Sequence, residues 1–171
     1  VKQLFNLVVV LLSVILSPLW PTYGEAIARG DIIWVKKTFR RSIIIGLLIS
    51  VSTAIPLVIF GQPIIRFWVS GAVSPSFLLL LAFGVWTLLS GINHPVSYFL
   101  SGIQATRFLT ISFTLMALAN IITSIVLTHS FGISGVLWGS VFAQVIFVFI
   151  PSIFYIQNIF NRSVDTTHKH H

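Results

Sequence analysis

The sequence predicts an all-α fold, a polytopic membrane helix bundle of five transmembrane helices. Three observations lead there. Hydrophobic residues fill 56% of the 171 positions and charged residues only 8%, with a mean hydropathy of +1.01. A soluble domain carries about 25% charged residues, and one as apolar as this would expose patches that aggregate. The apolar residues also fall into five runs close to the roughly 20 residues that a spanning helix needs. Finally, the period-2 alternation of barrel strands is absent. In lipid each backbone donor must find its partner within the segment, so the runs are helices.

The first run, about Leu4 to Trp20, ends at Pro18 and Pro21, which remove donors and clash with the preceding turn. Its opening lacks the basic n-region and small-residue cleavage site of a signal peptide, so it reads as a genuine span. The second, about Ser42 to Phe60, closes at Gly61 and Pro63. The third runs from about Phe77 to Gly102, with His94-Pro95 as a candidate kink. The fourth is about Phe108 to Leu127, and the fifth about Ile133 to Ile156 with a kink expected at Pro151. Residues 1–171 form a single transmembrane domain, with 162–171 as a tail. Trp68 and Trp138 lie near helix ends and fit an aromatic belt. Gly135, Gly139 and Ala143 recur every four residues, which lets another helix of the same chain approach closely.

Orientation follows from the basic residues. The polar stretch Pro18 to Arg41 holds Arg29, Lys36, Lys37, Arg40 and Arg41, half of the ten Lys and Arg. Adding Arg107, Arg162 and Lys169 puts eight on one side, against Lys2 and Arg66 on the other. The first helix therefore enters from outside and the C-terminus is cytoplasmic. Asp31 can cap a short helix from Ile32 to Arg41. Ile32, Val35 and Phe39 share one face of it and the basic residues spread over the other, so it is expected to lie in the headgroup layer. Membrane lipids are thus expected partners. No basic run is interleaved with aromatics in a soluble segment, so nucleic acid is not. There is no Cys, which excludes disulfides, thiolate metal sites and Cys nucleophiles.

No Asp, Glu, Lys or Arg lies within the five runs. That argues against a carboxylate proton relay and against a membrane hydrolase built on paired acids, so the chain is not read as an enzyme. His94 falls near the cytoplasmic boundary and reads as structural. The deep polar residues are Asn120 and Gln144, roughly 20 and 18 Å from their helix ends. Each can line a cavity or bond between helices. The tail His168-Lys169-His170-His171 reads as a short tail rather than a metal site, and no cofactor is expected.

Pro18, Trp20, Pro21, Tyr23, Gly24, Glu25 and Ala26, followed by Gly30, Asp31, Trp34, Lys36 and Lys37, resemble the helix–loop–helix of Wzx-type polysaccharide and O-antigen flippases. These belong to the multidrug/oligosaccharidyl-lipid/polysaccharide (MOP) superfamily. Tyr98 to Ile103 with Arg107-Phe108 is similar to that family's loop before its eleventh helix, and His129 to Val136 to the turn before its last. The resemblance runs along essentially the whole chain. It implies helices eight to twelve of a two-lobed bacterial inner-membrane transporter, with the seventh helix and the N-terminal lobe upstream. It also implies that polyprenyl-diphosphate-linked oligosaccharide crosses by alternating access. Arg29, Arg40 and Arg107 would then approach the diphosphate from the cytoplasmic side, with Asn120 and Gln144 as further substrate contacts. A drug/cation antiporter of the same superfamily and a non-transporting membrane assembly subunit are the alternatives.

Overall fold

The computed structural model describes residues 2–68 and 76–168. The side chains of Arg66, Trp68, Arg162 and His168, and residues Ser74, Lys169, His170 and His171, lie outside the described residues. Every element among the described residues is helical. In chain order they are α1 (Lys2–Leu16), α2 (Leu19–Ala28), α3 (Ile32–Trp68), α4 (Phe77–Gly102), α5 (Thr106–Phe131), α6 (Ile133–Gln144), a π-helical turn (Val145–Phe149) and α7 (Ile150–His168). Five stretches are long and apolar enough to cross a membrane: Val9–Ala28, Ile32–Pro63, Phe77–Gly102, Thr106–Phe131 and Ser134–Asn161. The protein is thus an all-α chain with the make-up of a multi-pass membrane protein.

The third run keeps the bounds the sequence predicts, because Ser76 caps α4 by accepting from Leu79 N at 3.2 Å and Gly102 meets a sharp turn. Elsewhere the structure differs. The first span does not stop at Trp20. The chain breaks at Ser17-Pro18 and resumes as α2, where Pro21 sits in the first turn and costs no intrahelical bond. The helix expected from Ile32 to Arg41 is not a separate short element. It is the first part of α3, which runs on for 37 residues through Pro56 and Pro63. The reason is a single buried stripe, Val35, Phe39, Ser42, Gly46, Ser50 and Ala54, whose spacing of three and four residues never changes phase. At 1.5 Å per residue α3 is about 55 Å long, against a hydrocarbon core of roughly 30 Å, so its basic turns project beyond the apolar layer. α4 passes Pro95 without a break, and α7 continues past Ile156 to His168.

At Pro151 the expected irregularity is a π turn. Ile150 N donates to Val145 O, five residues back, just before the proline that has no N–H to give. The indole Nε1 of Trp138 is buried without a hydrogen-bond partner among the described residues.

α4 is the central helix and packs against α1, α2, α3 and α6, with 39% of its apolar stretch buried against 11% for α5. Its close partner is α3. A methyl group on Gly91 would overlap Ser50 Oγ and sit 2.7 Å from the Gly46 carbonyl oxygen. The α5–α6 hairpin turns at Gly132, whose φ of +58° suits a residue without a side chain. Gly139 lets α6 lie so close that a methyl there would stand 2.7 Å from Ser124 N. The glycine stripe thus serves packing within the chain, as expected.

Arg29, Lys36, Lys37, Arg40, Arg41 and Arg107 gather at one end of the bundle. There Gly24 meets Gly102, with a would-be methyl 2.9 Å from the Gly102 carbonyl oxygen, so the α2–α3 and α4–α5 corners adjoin. An aromatic cluster seals this end. Phe99 lies 5.3 Å from Tyr23, 4.8 Å from Phe39 and 5.6 Å from Phe160, ring centre to ring centre. Val35, Val96, Leu100, Leu109 and Ile156 fill in around it.

Candidate functional site

The polar groups expected deep in the bundle come together. Asn120 on α5 and Gln144 at the end of α6 line one pocket of 250 Å³, with Ser140, Phe83, Trp86, Met116 and Leu137. Asn120 is about 21 Å along α5 and Gln144 about 17 Å along α6, which places the pocket near half depth. The α5–α6 hairpin positions it, because antiparallel helices in glycine-mediated contact bring the middle of one against the middle of the other.

Asn120 Oδ1 accepts from Ser124 Oγ at 2.8 Å and from Ser140 Oγ at 3.1 Å. The second bond joins α5 to α6, so Asn120 both ties helices and lines a cavity. Its oxygen is used, and its Nδ2 donors meet no described acceptor. Gln144 is only 7% exposed and lines the pocket beside Asn120 and Ser140. Neither amide is among the fully buried polar atoms without a partner, so both reach the pocket surface, where they can exchange hydrogen bonds with an occupant. Phe83 and Trp86 supply aromatic surface beside these groups. No ionisable side chain lines the pocket.

A polar track leads from it toward the Gly132 end. Thr128 Oγ1 donates to Ser124 O at 2.6 Å, and Ser124, Thr128 and His129 line a shallower groove of 610 Å³. Ser124 and Ser140 escaped the sequence reading because a lone serine in an apolar run carries no signal. Their spacing from Asn120, four residues on and one hairpin across, is the cue in hindsight.

The three arginines do not join this site. Arg29 is 78% exposed and pairs with Glu25 at 3.3 Å. Arg40 and Arg107 are exposed on α3 and on the first turn of α5. None of the three lines a described pocket. All three stand at the basic end, facing solvent or headgroups rather than one concavity.

The residues of the Pro18–Lys37 motif build a corner. Gly30, at φ +75°, closes α2 with paired bonds, Gly30 N to Ile27 O and Asp31 N to Ala26 O, both 3.0 Å. The Asp31 carboxylate then caps α3 by accepting from Trp34 N at 3.0 Å. Tyr23 is fully buried, its hydroxyl 3.2 Å from Ser42 Oγ and its ring edge-on to Trp34 at 6.1 Å. Among the described residues no group of His, Cys, Asp or Glu could hold a metal ion. No protein-family model, curated protein or solved structure matches the chain.

Proposed function

We propose that the chain is the C-terminal lobe of a Wzx-type flippase of the MOP superfamily, moving polyprenyl-diphosphate-linked oligosaccharide across a bacterial inner membrane. The observation that carries the reading is the uncharged half-depth pocket. Amide donors and acceptors beside Trp86 and Phe83 match a neutral, hydroxyl-bearing ring, whose hydroxyls pair with amides and whose C–H faces lie on aromatic rings. The resemblance of the Pro18–Lys37 corner to that family agrees with it. The exposed cations at the basic end suit a diphosphate that stays at the interface while the sugar enters. A cation/drug antiporter would call for an acid in the cavity wall, and the described pocket has none.

The test is deletion of the gene in its host. Lipid-linked oligosaccharide should accumulate in the inner membrane and surface polysaccharide should fall, while sensitivity to cationic dyes stays unchanged. Wild-type protein should restore export. Gln144→Leu with Asn120→Leu should lower it, at about 1 kcal/mol or roughly fivefold per lost hydrogen bond. Dye sensitivity without oligosaccharide accumulation would favour the antiporter instead.

A further inference from the structure

The bundle has a second cleft, further along α4 toward its C-terminal end than the amide pocket. It lies between α7 on one side and α3 and α4 on the other, with a volume of 270 Å³. Phe39, Ile43, Ile92, Val96, Ile153 and Ile156 form most of its wall, and the surface they present is apolar. Asn93 on α4 and Ser152 and Gln157 on α7 are the polar residues of the lining. Asn93 Oδ1 and Ser152 Oγ are buried and neither has a hydrogen-bond partner among the described residues. The surface open to the cleft is apolar, and its volume matches a hydrocarbon body.

The basic end of the cleft supplies the other half of the argument. On α3, Lys36 precedes Phe39 by three residues and Arg40 precedes Ile43 by three, so each cation stands one turn from a cleft-lining side chain on the same face. Lys36 Nζ lies 5.2 Å from the centre of the Phe160 ring, which itself is 6.2 Å from that of Phe39. Among the described side chains Glu25 pairs with Arg29 and Asp31 caps α3, while the side chain of Asp165 on α7 lies outside them. An apolar slot bordered by cations at one end suits a ligand with a phosphate headgroup and a hydrocarbon chain.

We propose that this cleft binds an anionic phospholipid of the surrounding bilayer, with one acyl chain between α7 and α3–α4 and the phosphate on Lys36 and Arg40. The inference shares Arg40 with the transport reading but uses neither the amide pocket nor any transported substrate.

The experiment uses the whole chain in phosphatidylcholine nanodiscs. These contain a trace of phosphatidylglycerol or of phosphatidylcholine with a photoactivatable diazirine in one acyl chain, and adducts are mapped by mass spectrometry. Phosphatidylglycerol should label Ile43, Ile153 and Ile156 well above phosphatidylcholine, while both label the exposed Ile121 and Ile122 of α5 alike. Lys36→Gln with Arg40→Gln should cut the cleft adducts roughly fivefold per cation lost, with α5 labelling unchanged as the control for folding. Ile153→Trp, which fills the slot and spares both cations, should remove the cleft adducts as well. Equal cleft labelling by the two lipids, or labelling that survives the double substitution, overturns the proposal. Displacement by polyprenyl diphosphate but not by an equal amount of phosphatidylglycerol would also overturn it, assigning the cleft to the transported lipid.

Discussion

Gly91 shows how narrow the tolerances are between α3 and α4. Any side chain there meets Ser50 Oγ and the Gly46 carbonyl. Gly91→Ala should therefore destabilise the protein by about 1–3 kcal/mol, as overpacking does, read as a lower midpoint of thermal unfolding in detergent. Adding Ser50→Ala should recover only part of that loss, because the carbonyl stays. At Gln104 the direction reverses. It holds φ +59° at the end of α4, where Gln104 N bonds to Ser101 O and Ala105 N to Leu100 O. That is the same motif that Gly30 closes without strain at the end of α2. A side chain in the left-handed region costs roughly 1–2 kcal/mol, so Gln104→Gly should raise the unfolding midpoint. The sequence makes Gly30 legible through the Gly-Asp pair, but it gives no sign of Gln104, because only the packing of Gly102 against Trp20 and Gly24 forces the chain round there.

At the scale of elements, hydropathy reads the existence and order of five spans correctly and misplaces the ends of most. α4 keeps its predicted limits because a serine cap and a tight turn are both local signals. α3 does not, because basic residues look like an end while the buried stripe passes straight through them. Charge marks where a helix leaves the apolar layer and says nothing of where it stops. The orientation assigned to α3 and α5 carries a clean prediction, helped by the absence of native cysteine. In intact cells Lys37→Cys should resist a membrane-impermeant thiol reagent, and Ser130→Cys, exposed at the far end of α5, should react. The reverse pattern would invert the topology. The amide pocket was half legible. Asn120 and Gln144 stand out as polar residues in apolar runs, whereas their meeting depends on the close α5–α6 approach. The arginines were legible as charges, but their number hid the fact that Arg29 is engaged by Glu25 and that none reaches the pocket.

The whole molecule is one bundle organised on α4, sealed by aromatic rings at its basic end and polar along the α5–α6 hairpin. Alternating access needs two bundles rocking about a site between them. Residues 1–171 expressed alone in a flippase-deficient strain should therefore insert without restoring surface polysaccharide. Restoration would mean that copies of the chain assemble a cavity together. The central claim is that the pocket of Asn120, Ser140 and Gln144 opens onto water and receives a sugar, rather than being a dry seam between helices. The most direct measurement is the reactivity of Ser140→Cys toward a small water-soluble thiol reagent in the native membrane, compared with Ile122→Cys on the exposed apolar face of α5. The account predicts that Ser140→Cys reacts, that lipid-linked oligosaccharide slows the reaction, and that Ile122→Cys stays inert. A Ser140→Cys as inert as Ile122→Cys, with or without the oligosaccharide, would contradict it.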